Sequence, residues 1–319
     1  MNINKYLFII LCVLLLFFLN NQLLFAQEQL PAIIFVYDDG HIEDIEKAFP
    51  IHQKYNVPAV SAVNTSTIGN DNYLKKEDLI KLEKNGWEIA SHGKYHSALI
   101  YNTLRSESFK GEKKIRIKNP NLIESKYEYY IYDSQNKVGE IIKFNQLVEN
   151  NDKRYWVLDD KLKNNYLSKN TYIFLTQKSM EKEIADSKLE LIEMGLKVNS
   201  FVYPYNGYIG KAKEIVKENY HLARGGRRLE EDFPECFINT YPFADYNLKG
   251  VSFEKNQLLK EDLNTLLVEA KKKNGLLIFY GHTANESFST DRLEYIIKKA
   301  TKLGFNIITF DDLNSLYLK

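Results

Sequence analysis

The chain has 319 residues, 44% hydrophobic and 27% charged, the composition of a globular protein with a sizeable core, which excludes disorder and collagen-like repeats. Lys and Arg number 43 against 42 Asp and Glu, a formal net charge of +1, so the overall footprint of a nucleic-acid binder is missing and no nucleic acid is expected as a partner. Two cysteines, Cys12 and Cys236, cannot build a disulfide framework, and the core must hold the fold.

In chain order, the first feature is Lys5 ahead of an unbroken apolar run over 6–19, then a polar Asn20-Asn21-Gln22, then Leu23 to Ala26. That order is the one a secretory signal has, with cleavage expected after Ala26. The run is shorter than the ~20 residues a spanning helix needs; adding 23–26 makes an uncleaved N-terminal anchor, and membrane association through it, the alternative. Cys12 follows Ile10 and Leu11 in mid-run, unlike the cysteine of a lipoprotein signal. Residues 1–26 are therefore expected to be a signal peptide or anchor, and the mature protein secreted or held in the cell envelope. There, hydrolysis or binding fits better than chemistry that needs ATP or nicotinamide cofactors.

Behind the leader, apolar β-prone runs alternate with amphipathic helical stretches. Strands are predicted over 32–37, 59–63, 87–91, 198–203, 276–280 and 305–310, and helices over 42–55, 75–85, 180–194, 210–219, 257–273 and 290–303. Such alternation makes an α/β fold on a largely parallel sheet, and the count fits a closed or nearly closed β/α barrel better than an open sheet. Between 101 and 177 the pattern changes to short alternating runs separated by Asn, Asp, Ser or Gly. This reads as an inserted antiparallel β-rich subdomain, too long for a simple loop, which splits the barrel domain into 27–100 and 178–319. Its Tyr127, Tyr129, Tyr130, Tyr132, Tyr155 and Trp156 are expected to serve packing before glycan stacking, since half-buried strands favour aromatic residues.

Four polar clusters end four of the predicted barrel strands: Asp38-Asp39-Gly40 in FVYDDG, His92 and His96 in SHGKYH, Tyr205 in FVYPYNG, and His282 in LLIFYGH. Each alone has a bland reading as a turn, a cap or a solvated side chain. Together they lie at strand carboxyl ends, where barrels and open α/β sheets assemble their sites. An aspartate with two histidines makes a three-ligand set for a divalent cation with positions left open. A second carboxylate and a third histidine then remain for proton transfer, a division that suits attack of activated water on an amide or ester carbonyl. His41, His52 and His221 are left outside: His41 is expected to start a helix, His52 to lie on a surface helix, and His221 to precede a strand.

These motifs resemble those of the polysaccharide deacetylases, carbohydrate esterase family four, over most of the mature chain outside the insertion. The resemblance implies a distorted (β/α) barrel of the deacetylase type. It implies Asp38 as catalytic base, Asp39, His92 and His96 as metal ligands, the Tyr205 backbone amide as oxyanion donor beside the substrate, and His282 as general acid. The closing GFNIITFDDL is also similar to the end of these domains. Two positions depart from the family: Val202 stands where an arginine contacting the base is usual, and the aspartate–tryptophan motif is not recognisable over 223–247. Arg224, Arg227, Arg228, Asp232 and Asp245 lie nearby as substitutes, and the deviations lean towards the poly-N-acetylglucosamine branch.

The implied activity is that of a metal-dependent hydrolase removing N-acetyl groups from an extracellular or cell-envelope glycan of N-acetylglucosamine type. Its cofactor would be one divalent ion, zinc first, with cobalt or nickel accommodated by the same mixed N/O ligands. The competing readings are an O-acetyl esterase on polysaccharide such as xylan, and a catalytically weakened glycan-binding protein.

Overall fold

A computed structural model describes residues 31–150, 152–226 and 233–317. The leader over 1–26, with Cys12 and the cleavage position, lies outside the described residues, as do Arg227, Arg228 and Asp232.

The chain begins a first sheet with β1 (Ala32–Asp39), β2 (Val60–Val63) and β3 (Glu88–Ser91). It then forms six further strands, β4 (Asn102–Thr103), β5 (Lys114–Ile115), β6 (Glu128–Asp133), β7 (Val138–Asn150), β8 (Lys153–Leu158) and β9 (Thr171–Leu175). It returns with β10 (Ser200–Val202), β11 (Leu222–Arg224), β12 (Val251–Ser252), β13 (Leu276–Gly281) and β14 (Asn306–Ile307). The first sheet runs β11-β10-β3-β2-β1-β13-β12, with β14 added beside β1, and its pairings are parallel.

β1 is buried from Ala32 through Asp38, as a strand apolar on both faces must be, and it sits centrally in the parallel sheet. Ala32, Ile34 and Val36 join Ala62, Ala90, Val202 and Ile278 in one apolar cluster. Ile33, Phe35 and Tyr37, on the opposite face by the two-residue period of a strand, pack with helix residues such as Leu79, Leu266 and Ile296. The mainly aliphatic side chains of the first cluster fill the inside of the curled sheet. At the β11 edge, Leu248 in the segment leading to β12 forms a single parallel bridge with Arg224, donating its N–H to Ala223 O at 3.0 Å and accepting from Gly225 N–H at 3.0 Å, which curls the sheet towards closure. The fold is thus the distorted α/β barrel expected from the alternation of elements.

The other six strands form an antiparallel sheet in the order β4-β9-β6-β7-β8-β5, and an antiparallel bridge between Leu104 and Ile117 joins its two ends. Tyr127, Tyr129 and Trp156 are buried, whereas Tyr130, Tyr132 and Tyr155 are half-buried, as strand alternation requires.

Two local expectations need correction. The strand predicted over 305–310 is only Asn306–Ile307, because a helix, Phe310–Tyr317, starts early. Thr309 and Asp312 cap it reciprocally: Thr309 N–H donates to Asp312 Oδ2 at 2.9 Å and Asp312 N–H to Thr309 Oγ1 at 3.2 Å. Phe310 and Leu313 then reach the inner cluster. His52, expected on a surface helix, is fully buried; its Nε2 lies 2.7 Å from Tyr37 Oη and its Nδ1 3.3 Å from Val57 O. Burial holds its pKa down at about 4, so the ring is a neutral part of the core.

Candidate active site

Because the barrel strands are parallel, the loops after β1, β3, β10 and β13 emerge at one end. Asp39 Oδ1 lies 3.6 Å from His92 Nε2 and 3.4 Å from His96 Nε2, and the ligand atoms of these three side chains all fall within 4.8 Å of one another. His282 Nε2 is 3.9 Å from Asp39 Oδ2, and the Tyr205 ring lies against His96, centroids 4.6 Å apart. The six candidate residues therefore come from four loops to one cluster, with Asp38 beside Asp39. His41 is also near, its Nε2 4.0 Å from Asp39 Oδ2 and its ring stacked on Tyr73.

Sharp backbone turns aim these groups. Asp39, His96 and Tyr205 have φ of 78°, 56° and 55°, a region sparsely populated by residues other than glycine and costly unless the surroundings enforce it. Around His96 the enforcing group is Glu183. Its buried carboxylate accepts from Tyr95 N–H at 3.0 Å, Ser97 N–H at 2.8 Å and Tyr127 Oη at 2.9 Å. Gly93 is required for this approach, since a Cβ there would lie 2.3 Å from Glu183 Oε1. Burial pushes Glu183 up to about 7, against the pull of its hydrogen bonds. Tyr127 ties the antiparallel sheet to the loop that carries both histidines.

The donor set fits a divalent cation. His92 Nδ1 lies 2.7 Å from Val202 O, which places the ring proton on Nδ1 and leaves the Nε2 lone pair facing Asp39. Burial lowers the pKa of His92 and, aided by the neighbouring His92, brings His96 to about 4. Both rings are then neutral at physiological pH, as metal ligation requires. Burial would raise Asp39, but the surrounding histidines outweigh it and lower its pKa.

Asp38 and His282 each have a charged partner. Arg224 Nη2 donates to Asp38 Oδ2 at 2.8 Å, with side-chain exposures of 0% and 4%, while Asp38 Oδ1 is buried with no partner. Arg224 is the residue directly across the ladder from Val202, so a neighbouring strand supplies the guanidinium that the resemblance places at position 202. Its guanidinium also lies over the Tyr280 ring, 4.4 Å from the centroid. Asp245, the other described substitute, meets β11 through its backbone, accepting from Ala223 N–H at 2.7 Å.

His282 Nδ1 lies 2.8 Å from Glu254 Oε1, which also accepts the His282 backbone N–H at 2.8 Å. Burial would lower His282, but the Glu254 bond and the charges of Asp38 and Asp39 raise it to about 9. Burial would raise Glu254, but bonds from His282 and Ser287 bring it down to about 2. Behind this loop, buried Asp44 accepts from Thr283 Oγ1 and Ser61 Oγ, both at 2.7 Å.

Sequence reasoning missed Glu183, Glu254 and Asp44. Glu183 had a usable signal: it interrupts the buried stripe Met180, Ile184, Ser187 and Leu191, and a carboxylate at a core position of a helix demands a partner. Glu254 had only its place just after a short strand, and Asp44 none.

Residues 27–149 match the family model described as Polysaccharide deacetylase, which bears out the resemblance over the stretch holding FVYDDG and SHGKYH. No curated protein sequence matches the chain significantly. Among solved structures, the chain is similar to the Xyl-CE4 domain of a multidomain xylanase from the hindgut metagenome of Trinervitermes trinervoides, at 12% identity, 89% of this chain, 90% of that chain and a TM-score of 0.48. It is also similar to the peptidoglycan deacetylase PdaC of Bacillus subtilis, at 14% identity, 91% and 92% coverage and a TM-score of 0.46. A third is a family 4 acetyl xylan esterase from Clostridium thermocellum in complex with a cobalt ion, at 12% identity, 89% and 91% coverage and a TM-score of 0.46.

Proposed function

We propose that the protein is a metal-dependent hydrolase that removes N-acetyl groups from a glycan of N-acetylglucosamine type outside the cytoplasm. The observation that carries this reading is the convergence of three ligand groups with two proton-transfer groups, each braced by an opposite charge: Asp38 by Arg224 and His282 by Glu254. Binding a glycan requires no such set.

Asp39, His92 and His96 would hold the cation, zinc first by its preference for mixed N/O ligands, with cobalt or nickel also accommodated. When bound, the ion supplies Lewis-acid polarisation and eases deprotonation of water. Arg224 fixes one oxygen of Asp38, and the partnerless Oδ1 takes the proton of the water that attacks the acetyl carbonyl. The Tyr205 backbone amide, in its rigid turn after Pro204, donates towards the oxygen on which negative charge grows. His282, whose proton on Nδ1 is held by Glu254, gives its Nε2 proton to the departing sugar nitrogen. An amide nitrogen must be protonated before it can leave, and His282 meets that requirement. The products are acetate and a free amine.

Acetate release from N-acetylated and O-acetylated oligosaccharides, run beside metal analysis, tests the reading. Turnover should favour the N-acetylated substrate and vanish on chelation. Asp38→Asn and His282→Ala should each lose about 100-fold to 10,000-fold in rate and keep the ion, whereas His92→Ala should lose it. Full activity in metal-free protein, or near wild-type turnover in either proton-transfer variant, would overturn the mechanism; faster release from O-acetylated sugars would make the protein an esterase.

A further inference from the structure

Where the two ends of the antiparallel sheet join, cationic side chains converge on a concavity. The pairing of Leu104 with Ile117 continues through Arg105 N–H donating to Arg116 O at 2.9 Å, so Arg105 and Arg116 stand directly opposite each other on adjacent antiparallel segments. Like charges in that position destabilise a sheet. β8, paired to β5 through Trp156 and Ile115, adds Lys153 and Arg154. The result is a cavity of about 310 Å³ lined by Arg105, Arg116, Lys118, Lys153 and Arg154, with Asp152 the one acidic residue in its wall.

Two features indicate that something is meant to fill it. Among the described residues none of the five cations enters a salt bridge, and only Arg154 has a side-chain partner, Nη2 donating to Asn121 Oδ1 at 2.6 Å. Arg116 Nε is moreover buried without any acceptor, its guanidinium lying 5.8 Å from the Tyr155 ring centroid. A buried donor left unmade is costly, and five gathered cations repel one another in a chain whose net charge is only +1. Both penalties are relieved by an anion in the cavity.

We propose that this concavity is a binding site for a phosphate-bearing ligand. One carboxylate brings a single charge, whereas a phosphate group brings up to two and several acceptor oxygens in a geometry that arginine forks match. A volume at the lower end of ligand-pocket sizes suits a phosphate with a small attached group. The walls are firm: Arg105 and Arg116 project from bonded backbone, and Trp156 Nε1–H donates to Pro120 O at 2.9 Å, holding the segment that faces Arg154. Phosphate carried by a soluble sugar chain and phosphate in a lipid headgroup share this chemistry.

The test titrates inorganic phosphate into the full chain at constant ionic strength balanced with chloride, read by calorimetry, and repeats it with Arg116→Gln and with the exposed Arg154→Gln, whose folding is checked by circular dichroism. Saturable binding is expected in the wild type, about tenfold weaker in each variant through loss of a charge-assisted bond, with deacetylation unchanged. Sedimentation with phosphatidylglycerol vesicles, against phosphatidylcholine vesicles, separates the sources: retention by the former alone assigns a headgroup, and no retention assigns a soluble ligand. Absence of saturable phosphate binding in the wild type, or wild-type affinity in both variants, would overturn the site. Because no arm depends on a glycan substrate, its failure is distinct from failure of the deacetylase reading.

Discussion

The buried pair of Arg224 and Asp38 offers the most demanding test of how the site is held. Arg224→Met removes the cation and leaves Asp38 desolvated, next to Asp39, with neither oxygen bonded. Both side chains are almost wholly inaccessible, so solvent screening gives little relief. Removing one partner of such a pair costs about 3–5 kcal/mol. At about 2–4 °C per kcal/mol for a domain of this size, the midpoint should fall by roughly 10 °C. Asp38→Asn should cost nearly as much, because Arg224 Nε and Nη1 already lack partners and the last bonded nitrogen would lose its carboxylate. The double variant leaves no unpaired charge, and its cost should fall short of the sum of the singles by about 2 kcal/mol or more. Urea unfolding of all four proteins in chelator at pH 7 isolates the pair from any bound ion. Additive costs, or a single-variant loss below about 1 kcal/mol, would show that Arg224 does not support Asp38 in the way described.

Three further outcomes are expected. Glu254→Gln removes the main group that raises His282, so the pKa of its ring should fall and the alkaline limb of the deacetylation pH profile should move to lower pH; an unmoved limb would exclude His282 as the proton donor. Tyr127→Phe removes one of the donors to Glu183 and should cost about 1 kcal/mol in urea unfolding, with weaker ion binding in a chelator competition because the loop carrying His96 loosens. Glu88 is buried, accepting from Ser200 Oγ and from Asp311 N–H at 2.8 Å, and burial with the Asp311 charge pushes it up to about 7. The folded state therefore holds the Glu88 proton more tightly than the unfolded chain, and this stabilisation is full below pH 4.5 and lost as pH rises through 7, about 3 kcal/mol in all. Thermal melts of Glu88→Gln between pH 4.5 and 8 should lose that part of the slope, and an unchanged slope would contradict the assignment.

How far the site was legible depends on whether a feature is local. Asp38, Asp39, His92, His96, Tyr205 and His282 could be singled out because each follows an apolar run within a few residues, and strand ends are the most local of signals. The Thr309 and Asp312 capping box was equally local, yet the apolar GFNIITF reading overrode it and placed a strand where a helix begins. His52 was misjudged for the opposite reason: its helix has ordinary amphipathic spacing, and only the packing of Phe35, Tyr37 and Trp87 around its ring buries it.

By itself, the sequence determined the order of elements, the parallel barrel that follows from their alternation, the break at 101–177, and the residue types set at the carboxyl ends of the strands. Tertiary structure alone decided who stands beside whom. Arg224 serves Asp38 because the register of β11 places it across from Val202, and a slip of one residue would have turned the guanidinium to the other face of the sheet. Glu254 meets His282 across 28 positions, Tyr127 meets Glu183 across 56, and Asp44 meets Thr283 across 239. Periodicity records which face a side chain takes within its own element, but partners on different elements are set by register, curl and the closing of the sheet, which no stretch of sequence encodes alone.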